Sequence, residues 1–109
     1  MAAQSVIHAF REGLDLDALF VANDHMAIAV MDALRLTLGL EIPKDISVVG
    51  FDDAPPASWG SYQLTTYTQP LEPMVIRAVE ILIQMIQEPG IDYEHVLISG
   101  TLKIRNTVR

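Results

Sequence analysis

The feature that most constrains this chain is a recurring unit: a short, almost unbroken apolar run that ends at an acidic or amide residue. Asp17-Ala-Leu-Phe-Val-Ala22 runs into Asn23-Asp24, and Ile46-Ser-Val-Val-Gly-Phe51 runs into Asp52-Asp53. A strand with one wet face alternates apolar and polar residues, whereas a run apolar throughout suits a strand covered on both faces of a parallel sheet. Leu64-Thr-Thr-Tyr-Thr68, rich in β-branched residues, predicts a third strand. Helix-length segments lie between and after these runs. One covers residues 2–12 and stops at Gly13; a second covers 24–38 and stops at Gly39; a third covers 70–88, opening on Pro70 and ending at Pro89-Gly90. Strands joined by helices of this length predict right-handed βαβ crossovers and an α/β fold with a mainly parallel sheet.

The second helix carries more than fold information. Met26, Ala27, Ile28, Ala29, Val30, Met31, Ala33, Leu34, Leu36 and Leu38 cover most of its circumference. A helix apolar nearly all round is buried on more than one side. One side is expected on the sheet and the other against a partner. The third helix is one-sided, with Leu71, Met74, Val75, Ala78, Val79, Leu82, Met85 and Ile86 on its stripe. At 109 residues the chain is one domain at most, yet half of it is hydrophobic. A domain this small has too much surface to hide that much apolar area, so some of it is expected to meet a cover from elsewhere.

Charge and composition exclude several functions. Seven Lys and Arg against fourteen Asp and Glu leave a net charge of -7, a field that repels phosphate backbones. Direct DNA binding by these residues is therefore not expected, although Lys103, Arg105 and Arg109 cluster at the end. With no cysteine there is neither a disulfide framework nor a thiolate site, and His8, His25 and His95 share no metal-ligand spacing. No apolar run approaches the roughly 18 residues of a membrane span, and the start lacks a signal-peptide pattern, so the expected compartment is the cytoplasm. Neither a cofactor nor a metal is expected.

In open parallel sheets, ligands bind beyond the carboxyl ends of the strands. Asn23 and Asp52 stand at two such ends, and an amide and a carboxylate can orient the hydroxyls or ring nitrogens of a small polar molecule. The plainer alternative is helix capping for Asn23 or Asp24 and loop solvation for Asp53. Asp24, Asp52 and Asp53 also raise a Mg²⁺ or phosphoryl-transfer reading. No phosphate-cradling Gly-rich loop or Lys follows these strands, and no Ser-His or Cys-His couple is placed for nucleophilic attack, so an enzyme is not expected. Trp59, in a proline-containing loop, reads as an interface anchor.

Three segments together, Asp17–Ala27, Ile42–Asp53 and Leu64–Thr66 with Gln69-Pro70, resemble the LacI/GalR family of bacterial transcriptional regulators, in the family's order and near its usual spacing. The resemblance implies the C-terminal subdomain of a periplasmic-binding-protein-like (type I) fold in truncated form. Residues 1–69 would belong to that subdomain, 70–90 would be a helix of the missing N-terminal subdomain, and 91–109 would return as strands. It implies a homodimer that responds to a small effector (a sugar, polyol or purine) and meets operator DNA only through an N-terminal region that is not here. Asn23, Asp52 and Gln69 would contact the effector, while Ile28, Met31, Asp32, Arg35 and Trp59 would form the dimer contact. A solute-binding protein of a sugar transporter, with the same fold, is the alternative. The sequence departs from the family pattern around Arg35-Leu-Thr-Leu38, where the helix is one residue longer.

Overall fold

The computed structural model describes residues 1–90, 92 and 95–109. Among the described residues, three of the four strands run parallel, in the order β1 (Ala18–Phe20), β2 (Ser47–Asp52) and β3 (Thr65–Thr68), and β4 (Leu102–Lys103) closes the row antiparallel to β3. Leu19 pairs with Val48 and Phe20 with Val49; Gly50 pairs with Thr66 and Asp52 with Thr68. Helix α1 (Ala2–Arg11) precedes β1, α2 (Asp24–Asp32) links β1 to β2, and α3 (Leu71–Gln87) follows β3. The described residues divide into two units, 1–68 with 101–109, and 69–100.

In the first unit, α2 packs against both β2 and α1. Ala27, Val30, Met31 and Leu34 recur at helical spacing and are fully buried with Ile46, Val48 and Leu64. Each such Leu or Met contributes roughly 2–3 kcal/mol through the apolar area it removes from water. Ala2, Val6 and Phe10 of α1 pack against this cluster. The second apolar side of α2 thus has a cover within the chain, which the sequence pattern assigned to a partner. Leu36 and Met26 are left outward, at 84% and 40% exposure.

Past Asp32 the helix widens into a π turn, Ala33–Thr37, in which Leu38 N–H reaches back to Ala33. A π turn absorbs one additional residue without breaking the helix. The π turn falls on the stretch where one extra residue was expected; Leu34 continues the buried stripe of α2 and Leu36 lies off it. Gly39, at φ +68, then reverses the chain in a left-handed conformation that is costly for a residue with a Cβ and open to glycine.

Two strand expectations change. β1 is not covered on both faces: Leu19 faces the helices, but Phe20 is 69% exposed on the opposite face. Its near-continuous apolar run reflects an apolar surface without a second helical layer among the described residues. In the tail, residues 96–98 form no strand, and Leu102–Lys103 alone pairs in the Thr101–Arg105 stretch. The part of the return-strand expectation that falls on residues 91, 93 and 94 lies outside the described residues. Beyond β4 the tail wedges into the sheet by a side chain. Thr107 Oγ1 donates to Val48 O (2.6 Å) and accepts from Thr65 N–H (2.9 Å), bridging β2 and β3 below the point where their pairing begins.

The second unit is different in kind. α3 has no buried residue, and Leu71, Val75, Ile76, Leu82 and Ile86 are more than half exposed. Met74, Ala78 and Ile81, with Arg77, form one wall of an open groove of about 340 Å³ whose other wall is Val96, Leu97 and Ile98.

Candidate functional site

The site assembles at the carboxyl ends of β1 and β2. Asn23, in extended backbone, caps α2: its Oδ1 accepts from Met26 N–H at 2.9 Å, the bond that an N-terminal amide or hydroxyl side chain supplies to an unpaired helical donor. Its Nδ2 lies 3.3 Å from Met26 Sδ. Capping and ligand contact are thus not exclusive, since Asn23 remains half-buried rather than sealed. Asp52, half-buried at the end of β2, has φ +119, and Asp53 follows at φ +55. Two consecutive left-handed residues without glycine store strain of about 1–3 kcal/mol each and persist only when surroundings hold them.

Those surroundings are polar and specific. Arg105, from beyond β4, places Nη2 2.6 Å from Asp53 Oδ1 and Nη1 2.8 Å from Leu64 O, while its own N–H donates to Thr65 Oγ1. The Asp53–Arg105 pair is mostly out of water, where a charge-assisted bond is stronger than on the surface. Ala54 N–H donates to Asp24 Oδ2 (2.8 Å), and Thr66 Oγ1–H donates to Asp24 Oδ1 (2.7 Å). Asp24 and Thr66 are themselves fully buried. Gly50 lies directly against this carboxylate, where a Cβ would collide with Asp24 Oδ1 and stand 2.9 Å from Leu64 Cδ2.

The three carboxylates that raised a metal reading are therefore not alike. Asp24 gives one oxygen to a hydroxyl and the other to an amide, and Asp53 is committed to a guanidinium. Among the described residues no group of three His, Asp or Glu converges on a cation position. Gln69, the third expected effector contact, directly follows β3 and belongs to the second unit, where its carbonyl accepts from Leu71 N–H.

The residues expected at a dimer contact divide. Ile28, Asp32 and Arg35 are half-buried, and Trp59 is 59% exposed after a short 3₁₀ turn, Pro55–Ser58. Met31 is 0% exposed, so it presents nothing to a partner; its place in the Ala27–Val30–Leu34 stripe makes it core. Asp32 accepts from Tyr62 Oη–H at 3.3 Å, and Arg35 Nη1 donates to Ser61 O at 2.8 Å, tying the Trp59 loop to the end of the helix. Burial, then the Asp32 charge and its hydrogen bond, hold the Tyr62 phenol above its usual range. Arg105, Thr66 and Thr107 received no role from sequence, because Asp53, Asp24 and Val48, with which they pair, lie 52, 42 and 59 residues away along the chain.

Known proteins resemble the chain along nearly its whole length. The model of the periplasmic binding protein-like domain matches residues 2–108. A probable HTH-type transcriptional repressor, ExuR, of Bacillus subtilis is 36% identical over 92 residues, 84% of this chain and 27% of that protein. The arabinose metabolism transcriptional repressor of Geobacillus stearothermophilus is 38% identical over 88 residues, 80% of this chain and 24% of that protein. The chain thus spans about a quarter of the length of these curated relatives. Among solved structures, the lac repressor dimer bound to operator and the anti-inducer ONPF superposes with a TM-score of 0.86 at 33% identity, covering 98% of this chain and 37% of that one. Fold, residue pattern and these likenesses agree: the chain belongs to the periplasmic binding protein-like domain family, as the LacI/GalR-type transcriptional regulators carry it.

Proposed function

We propose that this chain supplies one half of a small-molecule effector site, and most of a dimer surface, to a ligand-responsive transcriptional regulator. The observation that carries the reading is the pair Asn23 and Asp52 at the carboxyl ends of adjacent parallel strands, each on a backbone held by a defined bond or a strained turn. An amide and a carboxylate so placed accept and donate to adjacent hydroxyls, which suits a sugar or polyol. The names of the relatives, a repressor of arabinose metabolism and a lac repressor with an anti-inducer, point the same way. They favour a regulator over the solute-binding component of a transporter. Gln69 is a third, weaker contact. The net charge of -7 leaves DNA contacts to other parts of such a regulator. Ile28, Asp32, Arg35 and Trp59 are the proposed dimer contacts.

Half a cleft binds weakly. Titrating the ¹⁵N-labelled chain with L-arabinose, lactose, sorbitol or adenine is expected to give dissociation constants of about 1 mM or weaker for at least one of them, roughly 4 kcal/mol. The amide shifts should centre on residues 22–24 and 51–53 and vanish in Asn23→Ala and Asp52→Ala. Shifts scattered over the surface, or surviving in both variants, would rule the site out.

A further inference from the structure

We infer that Asp24 is the positioning residue of this site: its buried carboxylate locks the Asp52–Ala54 turn to the start of α2, and so sets where Asn23 and Asp52 stand relative to each other. The functional half of the inference rests on the effector reading above; the structural half does not.

Three observations converge. Asp24 is 0% exposed, and a carboxylate removed from water is costly unless its oxygens are satisfied. Both are satisfied by donors from different elements: Thr66 Oγ1–H in β3 at 2.7 Å, and Ala54 N–H just beyond β2 at 2.8 Å. One side chain at the first position of α2 thus binds the ends of both neighbouring connections. Second, what it binds is the one stretch of this unit with consecutive left-handed residues, Asp52 and Asp53. A strained turn relaxes when an anchor is lost, and the Asp24–Ala54 bond anchors its downstream end. Thr66 serves the same turn directly, since its Oγ1 lies 3.4 Å from the Asp53 N–H it accepts from. Third, the space for the carboxylate is set aside by Gly50, the residue of β2 whose missing Cβ lets Asp24 lie against the strand. Asp24 follows Asn23 directly, so a change in its position moves the effector amide too.

A residue that only stabilised the core would loosen every buried amide alike. Native-state amide exchange separates the two cases without any ligand, by comparing Ala54 with Val48, whose N–H is bonded to Thr107 O. In Asp24→Leu, Ala54 exchange is expected to rise about tenfold or more relative to Val48. Asp24→Asn should restore it, because an amide oxygen still accepts from Ala54 while its NH₂ donates to the Thr66 hydroxyl. Thr66→Val, nearly isosteric, removes one anchor and decides the matter if Asp24→Leu does not fold. It should speed Ala54 exchange relative to Val48 and weaken the L-arabinose or lactose response about tenfold. An unchanged Ala54-to-Val48 ratio in Thr66→Val and in any folded Asp24→Leu overturns the inference, even if the wild-type chain binds sugar. If the wild-type chain binds none of the four probes while Ala54 loosens selectively, the effector reading fails and the anchoring role stands.

Discussion

At the scale of single residues, the site is governed by what can be packed beside a buried carboxylate. Gly50 makes the point. Adding one methyl group there drives it into Asp24 Oδ1 and against Leu64, both fully buried, so neither neighbour can retreat into solvent. Gly50→Ala is expected to lower unfolding stability by about 3 kcal/mol, the upper range for overpacking a rigid core. Urea denaturation checks it; a loss below about 1 kcal/mol would mean that the carboxylate yields easily. Asp53 shows the complementary case. Its charge is held by Arg105 at 2.6 Å rather than by solvent, which explains how a residue at φ +55 stays ordered in a turn without glycine.

At the scale of elements, α2 and its π turn connect the core to the surface. Leu34, within the turn, is buried, Arg35 of the same turn donates to the Ser61 carbonyl, and Asp32 takes the Tyr62 hydroxyl. The Tyr62 phenol ionises above its ordinary value of 10.0, so the folded chain holds that proton more tightly than the unfolded one. The linked stabilisation is therefore present at neutral pH and lost as pH rises beyond 10, on the alkaline side only. Tyr62→Phe should flatten the alkaline limb of a plot of thermal midpoint against pH, and an unchanged limb would refute the coupling. The elements that sequence revealed are those whose signals are local. Runs of apolar residues marked β1 and β2, Asn23 announced the start of α2, and Gly39 the end of the π turn that continues it. What sequence hid depends on long-range pairing. The wedge of Thr107 between strands, the clasp of Arg105 on Asp53 and the burial of Asp24 need the fold before they have partners. Met31 misled for a related reason: on a helix apolar nearly all round, only the contacts of α1 and β2 decide which side is interior.

At the scale of the whole molecule, exposed apolar surface remains on both units: Trp59 and Phe20 on one, the length of α3 on the other. Large aromatic side chains in loops often dominate association energy. If the Trp59 surface mediates dimerisation, sedimentation at micromolar concentration should show a dimer whose dissociation constant rises at least about tenfold in Trp59→Ala. A clean wild-type monomer would remove the interface proposal. The two points at which the chain leaves and re-enters the sheet have a further implication. Thr68 N–H donates to Thr101 O at 2.8 Å, and Thr101 N–H donates to Thr68 Oγ1 at 2.9 Å, so the roots of the intervening segment are clasped side by side. Once its ends are so joined, lengthening a segment adds only a slowly growing entropic cost. The junction is thus a natural grafting point, where evolution or an engineer can lengthen, shorten or exchange what lies between the two threonines while the sheet keeps its register.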